Sequence, residues 1–345
     1  VSILNFFFVT DLHNRSERDN PKGRTDNFAH ALLAKQDEII RIVEANNVHT
    51  VLMGGDLFDR FDVPTAVIND VSAVWRRIPC GKIGVVGSHD YNGFQMKTLR
   101  RTGLGNLVVN DVMSIVGNGT DGFPDFIDVP YTRGDGVYCP VRVTGTSHSA
   151  NLAHDPANFF TAEHDKHNVV IQMIHGDLFN KKVPWPHQTI DDIHPYISAD
   201  VVLSGHIHSG WPSPIVVAND KSFTGRTMYI NPGSLARTEN GPVRDIRGFF
   251  FSVDPFLGVL EYRYIKFEDA AVHPFASDAD KDKIEGSPMT DFSGLMKMIS
   301  GMQLKKMDFR QHIPEIVAKT FGGETPEERQ EISERVVASI EGSKE

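Results

Sequence analysis

An α/β fold, with sheet buried on both faces, is predicted by three features of the sequence. Up to about residue 230, short apolar runs alternate with stretches of helical spacing, the pattern of strands and helices taken in turn. The strand-like runs are continuously apolar rather than alternating, so each needs cover on both sides. Polar, metal-capable residues follow the strands directly: Asp11 and His13, Asp56, His89 and Asp90, His175, and His206 and His208. Loops at the carboxyl ends of strands are where α/β proteins hold their sites.

The elements follow in order. Ile3 to Val9 is an apolar run ending in Thr10-Asp11 and reads as a buried strand. From Asn27 to Asn46, Leu32, Leu33, Ile39, Ile40 and Val43 share one broad helical face. Val48 to Met53 is a strand stopped by Gly54-Gly55, and Thr65 to Arg77 is a helix with Pro64 just ahead of it. Lys82 to Val86 is a strand stopped by Gly87. Residues 91–168 are rich in Gly, Asn and Asp, and are expected as loops and hairpins around a strand near Val141 to Thr144. Strands are expected again at Val169 to Ile174, Val201 to Leu203 and Met228 to Ile230. Phe249 to Val253 and Leu260 to Phe267 flank Asp254-Pro255 and Gly258, and should form a closing hairpin. This gives a catalytic domain over 1–267, a polar linker over 268–288 and a helical C-terminal region over 289–345. In the last, Thr325-Pro326-Glu327-Glu328 is a helix start with Thr as N-cap, and Ile332, Val336 and Ile340 then share a face.

Composition narrows the function classes. Hydrophobic residues are 40% and charged residues 23% of 345, which argues against global disorder. Lys+Arg at 35 against Asp+Glu at 45 gives a net charge of −10, unlike a protein that coats nucleic acid or an anionic membrane by bulk charge. Two cysteines, Cys80 and Cys139, exclude a disulfide framework and a cysteine-rich zinc module. With no run near the roughly 18 apolar residues of a membrane span and no secretory leader pattern, a cytoplasmic protein without membrane contact is expected.

Six segments carry the chemistry: Asp11-Leu12-His13; Gly55-Asp56-Leu57-Phe58-Asp59-Arg60; Gly87-Ser88-His89-Asp90; His175-Gly176; Gly205-His206-Ile207-His208; and Asn231-Pro232-Gly233-Ser234-Leu235. Their order resembles the calcineurin-like metallophosphoesterase superfamily over about residues 3–267. The resemblance implies a β-sandwich flanked by helices and hydrolysis of a phosphate ester by metal-bound hydroxide. It also implies two divalent cations, with manganese expected and magnesium, iron or zinc as alternatives. Such a pair about 3.5–4 Å apart neutralises phosphoryl charge and needs a bridging carboxylate. By resemblance Asp56 is that bridge, with Asp11, His13 and His208 completing the first site, and His175 and His206 in the second. His89 would be a catalytic acid, with Asp90 orienting its ring and favouring the imidazolium. Ser88 is the candidate second-site ligand where the family pattern has an asparagine, and because a hydroxyl is a shorter and poorer donor a weaker second site is expected.

Asp59 reads evenly as a support for the ligands or as a helix N-terminal carboxylate. Arg60, Lys181 and Lys182 are candidate substrate contacts, whereas Lys97, Arg100 and Arg101 read as a solvated face. His148, His154, His164, His167, His187 and His194 read as surface or loop histidines, His187 also as a groove residue beside Trp185. Within the superfamily, the Gly54 to Asp59 segment, the run Asn231 to Arg237 followed by Arg247 to Phe251, and the helical tail resemble the SbcD-type DNA repair nucleases. That resemblance implies a DNA substrate and an SMC-like coiled-coil ATPase partner docking on the C-terminal helices, with a homodimer as a further expectation. The alternative is a small-substrate phosphodiesterase or phosphatase.

Overall fold

The computed structural model describes residues 3–93, 95–117, 123–132, 135–161, 168–184, 186–238 and 245–267. The expected linker and helical C-terminal region lie outside the described residues. β1 (Leu4–Val9) leads to α1 (Phe28–Ala45), β2 (Thr50–Met53), α2 (Thr65–Arg77), β3 (Gly81–Gly84), α3 (Gly103–Val109) and β4 (Ser114–Ile115). Next come β5 (Phe126–Val129), β6 (Val141–Thr146), β7 (Val170–His175), the short ribbon β8 (Leu178–Phe179) and β9 (Gln188–Thr189), and α4 (Ile190–Ile193). β10 (Val201–Gly205), β11 (Ile215–Ala218), β12 (Arg226–Ile230), β13 (Arg247–Asp254) and β14 (Gly258–Lys266) complete the order.

The strands form two six-stranded mixed sheets, ordered β14-β13-β1-β2-β3-β4 and β11-β12-β10-β7-β6-β5. In the first, β1 to β4 run parallel and β13 pairs antiparallel with β1, Phe7 opposite Phe250. In the second, β6, β7, β10 and β12 run parallel, with β5 and β11 added antiparallel at the edges. Alternation along each strand divides its side chains between two layers. Phe6, Phe8, Leu52, Ile83, Phe249 and Phe251 of one sheet share a buried cluster with Val143, Ile171, Met173, Leu203 and Ile230 of the other. On the outer face of the first sheet, Phe7, Val9, Val51 and Met53 cluster with Ile39 and Val43 of α1, Val71 and Trp75 of α2, and Leu104 and Leu107 of α3. Outside the second sheet, Val170, Ile174, Val202 and Tyr229 cluster with Leu152, Phe159, Ile190 and Ile193. Continuous apolar strands therefore have cover on both sides, as a helix-flanked sandwich requires.

A buried polar chain ties the helical layer to the site. Trp75 Nε1 donates to Gln36 Oε1 at 2.8 Å, Gln36 Nε2 to Asn14 Oδ1 at 2.8 Å, and Asn14 Nδ2 to the Leu57 carbonyl at 2.8 Å. The loop after β1 is thereby fixed to the loop after β2, and these carry His13 and Asp56.

The irregular reading of 91–168 left out α3, which begins Gly103-Leu104-Gly105, a poor helix start by propensity. Thr102 caps it by accepting from Gly105 N at 3.2 Å, and its leucines enter the core. No helix among the described residues is long and apolar enough to cross a membrane.

Candidate metal centre

Two groups of donors meet where β1, β2 and β3 of one sheet and β7 and β10 of the other end. In the first, Asp11, His13 and His208 bring ligand atoms within 4.8 Å of one another. In the second, Asp56, His175 and His206 do the same. Asp56 lies between the groups: its Oδ2 is 3.2 Å from His175 Nε2 and 3.9 Å from His13 Nε2. The turns that aim these side chains are strained. Asp11, His13, Asp56 and His206 all have left-handed backbone, with φ of 55°, 49°, 51° and 78°. Such conformations cost energy in a non-glycine residue and cluster at functional sites.

Backbone and second-layer bonds fix each ligand. Asp11 N donates to the Gly55 carbonyl at 3.1 Å, and Asp11 Oδ2 accepts from Thr10 Oγ1 at 2.7 Å and from His206 N at 3.0 Å. His175 Nδ1 sits 2.6 Å from the Gly54 carbonyl, so this nitrogen carries the proton and Nε2 faces Asp56. Ser234 N donates to the His208 carbonyl and Ala236 N to the Asp11 carbonyl, so the Asn231 to Leu235 segment braces both ligand loops.

Burial holds His13 well below the usual imidazole range despite Asp56, leaving it neutral. Yet His13 Nε2 and His208 Nε2 face each other at 3.0 Å, and His206 Nδ1 and His175 Nε2 at 3.3 Å. Convergent imidazole nitrogens with carboxylates beside them fit divalent cations of the manganese, iron or zinc kind. Burial disfavours a charged His175, but the Asp56 carboxylate outweighs it and lifts the group to about 10. Burial also opposes ionisation of Asp56, and His175 with His13 and His89 overcomes it and holds the carboxyl well below its usual range.

His89 is placed at the mouth, its side chain 47% exposed and its Nε2 4.0 Å from Asp56 Oδ2. The expected orienting role of Asp90 is corrected. Asp90 is fully buried and its carboxylate accepts from the backbone N of Asp56 at 2.9 Å, Gly87 at 2.9 Å and Phe58 at 3.2 Å. It holds the turns after β2 and β3 together, and the His89 ring instead bonds the Asp59 carbonyl through Nδ1 at 2.5 Å. Asp59 serves the site from several sides: its carboxylate pairs with Arg15 and lies 3.6 Å from His13 Nδ1. Ser88 Oγ lies 3.2 Å from Asp56 Oδ2, and the hydroxyl donates to that carboxylate.

The candidate substrate contacts are all exposed. Arg60 is exposed and bonds Asp62 at 2.6 Å, while Lys181 and Lys182 are exposed on the loop between β8 and β9. Two residues that the sequence reading did not place at the site do join it. His148, expected at the surface, packs its ring 5.4 Å from that of His206, and burial together with His175 and His206 pushes its pKa down to about 3. Asp177 lies 3.5 Å from His206 Nε2, and His148, Asp177 and His206 form a further convergent group, as do His13, Asp59 and His89. His148 and Asp177 both follow strand ends, after β6 and β7, so the rule that picked out the other ligands applied to them as well.

No curated protein sequence matches this chain significantly. Among solved structures, the fold is similar to a 5'-nucleotidase precursor from Thermus thermophilus, at 12% identity and TM-score 0.45, over 88% of this chain and 60% of that one. It is also similar to the calcineurin-like phosphoesterase YfkN from Bacillus subtilis, at 13% identity and TM-score 0.45, over 76% of this chain and 88% of that one. The model of the calcineurin-like phosphoesterase family matches residues 4–210. That span is more than half of the sequence and takes in both ligand groups of the centre, so this chain belongs to the calcineurin-like phosphoesterase family.

Proposed function

We propose that this chain hydrolyses phosphate esters of small substrates at a centre of two divalent cations. The observation that carries the reading is the placing of one buried carboxylate, Asp56, between two histidine-carboxylate groups. Asp11, His13, Asp56 and His208 would hold one cation, and Asp56, His175 and His206 the other. Bound there, the cations would supply positive charge for the phosphoryl oxygens and lower the pKa of water towards neutrality. His89 is the acid of this mechanism. Its Nδ1–H donates to the Asp59 carbonyl, which leaves Nε2 turned to the mouth, where a protonated ring can pass its proton to the leaving oxygen. Manganese suits the mixed nitrogen and oxygen donors, as iron and zinc do.

Charge favours a small substrate over a duplex. The chain carries −10 overall, and Arg15, Arg24 and Arg60 are each paired with a carboxylate, Asp59, Asp26 and Asp62 respectively. A protein that grips a phosphate backbone needs cations that its own carboxylates do not occupy. The nuclease reading is the second, and an open mouth supports it, since the side chains of His89 and His208 are 47% and 39% exposed. A helical C-terminal region that docks an ATPase would belong with that second reading.

The test is turnover by the metal-stripped, manganese-reloaded chain on bis(p-nitrophenyl) phosphate, p-nitrophenyl phosphate and end-labelled duplex DNA, with EDTA and His89→Ala controls. EDTA-sensitive cleavage of a chromogenic ester with DNA left intact is the expected result. Shortening of the duplex that His89→Ala loses would replace it with the nuclease. Failure on all three, with metal bound, would sink phosphoester hydrolysis.

A further inference from the structure

The second cation site has three protein donors, Asp56, His175 and His206. A divalent ion of this kind takes at least four ligands. Ser88, on the turn beside it, spends its hydroxyl on Asp56. We propose that His148, at the end of β6, is the fourth protein ligand of the second site. This rests on the two-cation reading above.

Ring geometry supports it first. With a metal–nitrogen bond of about 2.1 Å, an imidazole centre lies about 3.2 Å from its ion, so two rings on one ion have centres no more than about 6.4 Å apart. The His175–His206 centres are 5.0 Å apart, His148–His206 5.4 Å and His148–His175 6.2 Å. All three pairs lie within that limit, as do His13 and His208 at 4.9 Å.

The backbone supports it second. His148 is tied to both flanks of the Ser88 turn: its N donates to the Val86 carbonyl at 3.0 Å, and Tyr91 Oη donates to its carbonyl at 2.6 Å. Ser147 adds a third tie, its Oγ accepting from Val86 N at 3.1 Å. The segment that carries His148 is thus stitched against the turn that carries Ser88. Loop 147–148 and turn 86–91 form one rigid wall of the second site, and the imidazole stands on it.

The experiment is calorimetric titration of the metal-stripped full chain with Mn²⁺, for the wild type, His148→Ala and His148→Gln, with cobalt absorption spectra of each loaded form. The expected result is two ions per wild-type chain, with His148→Ala weakening one of them by 10-fold to 100-fold or more and changing the cobalt bands, while the other ion binds unchanged. His148→Gln keeps most of the side-chain volume, so it carries the readout if the alanine variant does not fold. Two ions bound by both variants with wild-type affinity and spectra would overturn the proposal and leave the two-cation reading standing. One ion in the wild type would overturn both. Three ions would overturn it in another way, by giving His148, Asp177 and His206 an ion of their own.

Discussion

His89 and Asp90 are neighbours in sequence and face opposite ways in the structure. The ring of His89 reaches the mouth and the carboxylate of Asp90 reaches back beneath the turns. His89→Ala should leave metal content intact, measured by elemental analysis, and lower turnover by roughly 10²–10⁴-fold. Asp90→Asn should act through folding instead. Its carboxylate accepts three backbone N–H groups, and an amide nitrogen in its place would face one of them without accepting. An unpaired buried donor costs about 1–3 kcal/mol, so a melting temperature lower by roughly 2–10 °C is expected in calorimetry. The residue types of the ligands were legible in the sequence because each follows an apolar run and a cation needs those donors. The direction of Asp90 was not, because a tight turn decides which of two adjacent side chains points inward. His148 and Asp177 also follow strand ends, but neither belongs to one of the six motif segments, and only the folded chain brings both beside His206.

At the scale of elements, the turns after the strands set the site. Gly55 has φ +96°, and a Cβ there would lie 2.3 Å from His175 Nδ1, the atom that bonds Gly54. Gly55→Ala should therefore displace His175 and lower the metal content from about two ions towards about one, read by elemental analysis after dialysis, with the first site retained. Gly87 is confined in the same way, since its Cβ would come 2.1 Å from Asp56 N. Among the elements, α2 was legible to the residue, Thr65 to Arg77, because Pro64 and the apolar spacing mark its start and face. The β11 edge strand was not, because its side chains alternate between half-buried and exposed and it follows Pro212 and Pro214. Packing and capping rather than propensity make α3: the Thr102 cap is local, but the packing partners of its leucines lie far away in sequence.

At the scale of the molecule, periodicity announces strands covered on both faces but does not say whether they make one sheet or two. The sandwich was legible only through the ordered motifs. In that sandwich Asp11, His13 and Asp56 come from loops of one sheet, and His175, His206 and His208 from loops of the other. A cation bound by both therefore joins the sheets, and its binding free energy adds to that of folding. Adding Mn²⁺ to the stripped chain at about 100 times its dissociation constant should stabilise it by roughly 2.7 kcal/mol, visible as a higher melting temperature that EDTA reverses. No change on adding metal would mean that the folded chain does not bind the ion in preference to the unfolded one. The stack of Phe6 on Phe251, with ring centres 5.3 Å apart, belongs to the same inter-sheet core as Met173 and Leu203. The thickness of that core is then a ruler for the chemistry, because the spacing between the ligand loops, and with it the size of ion they accept, is measured out by aromatic rings and aliphatic chains that never meet the substrate.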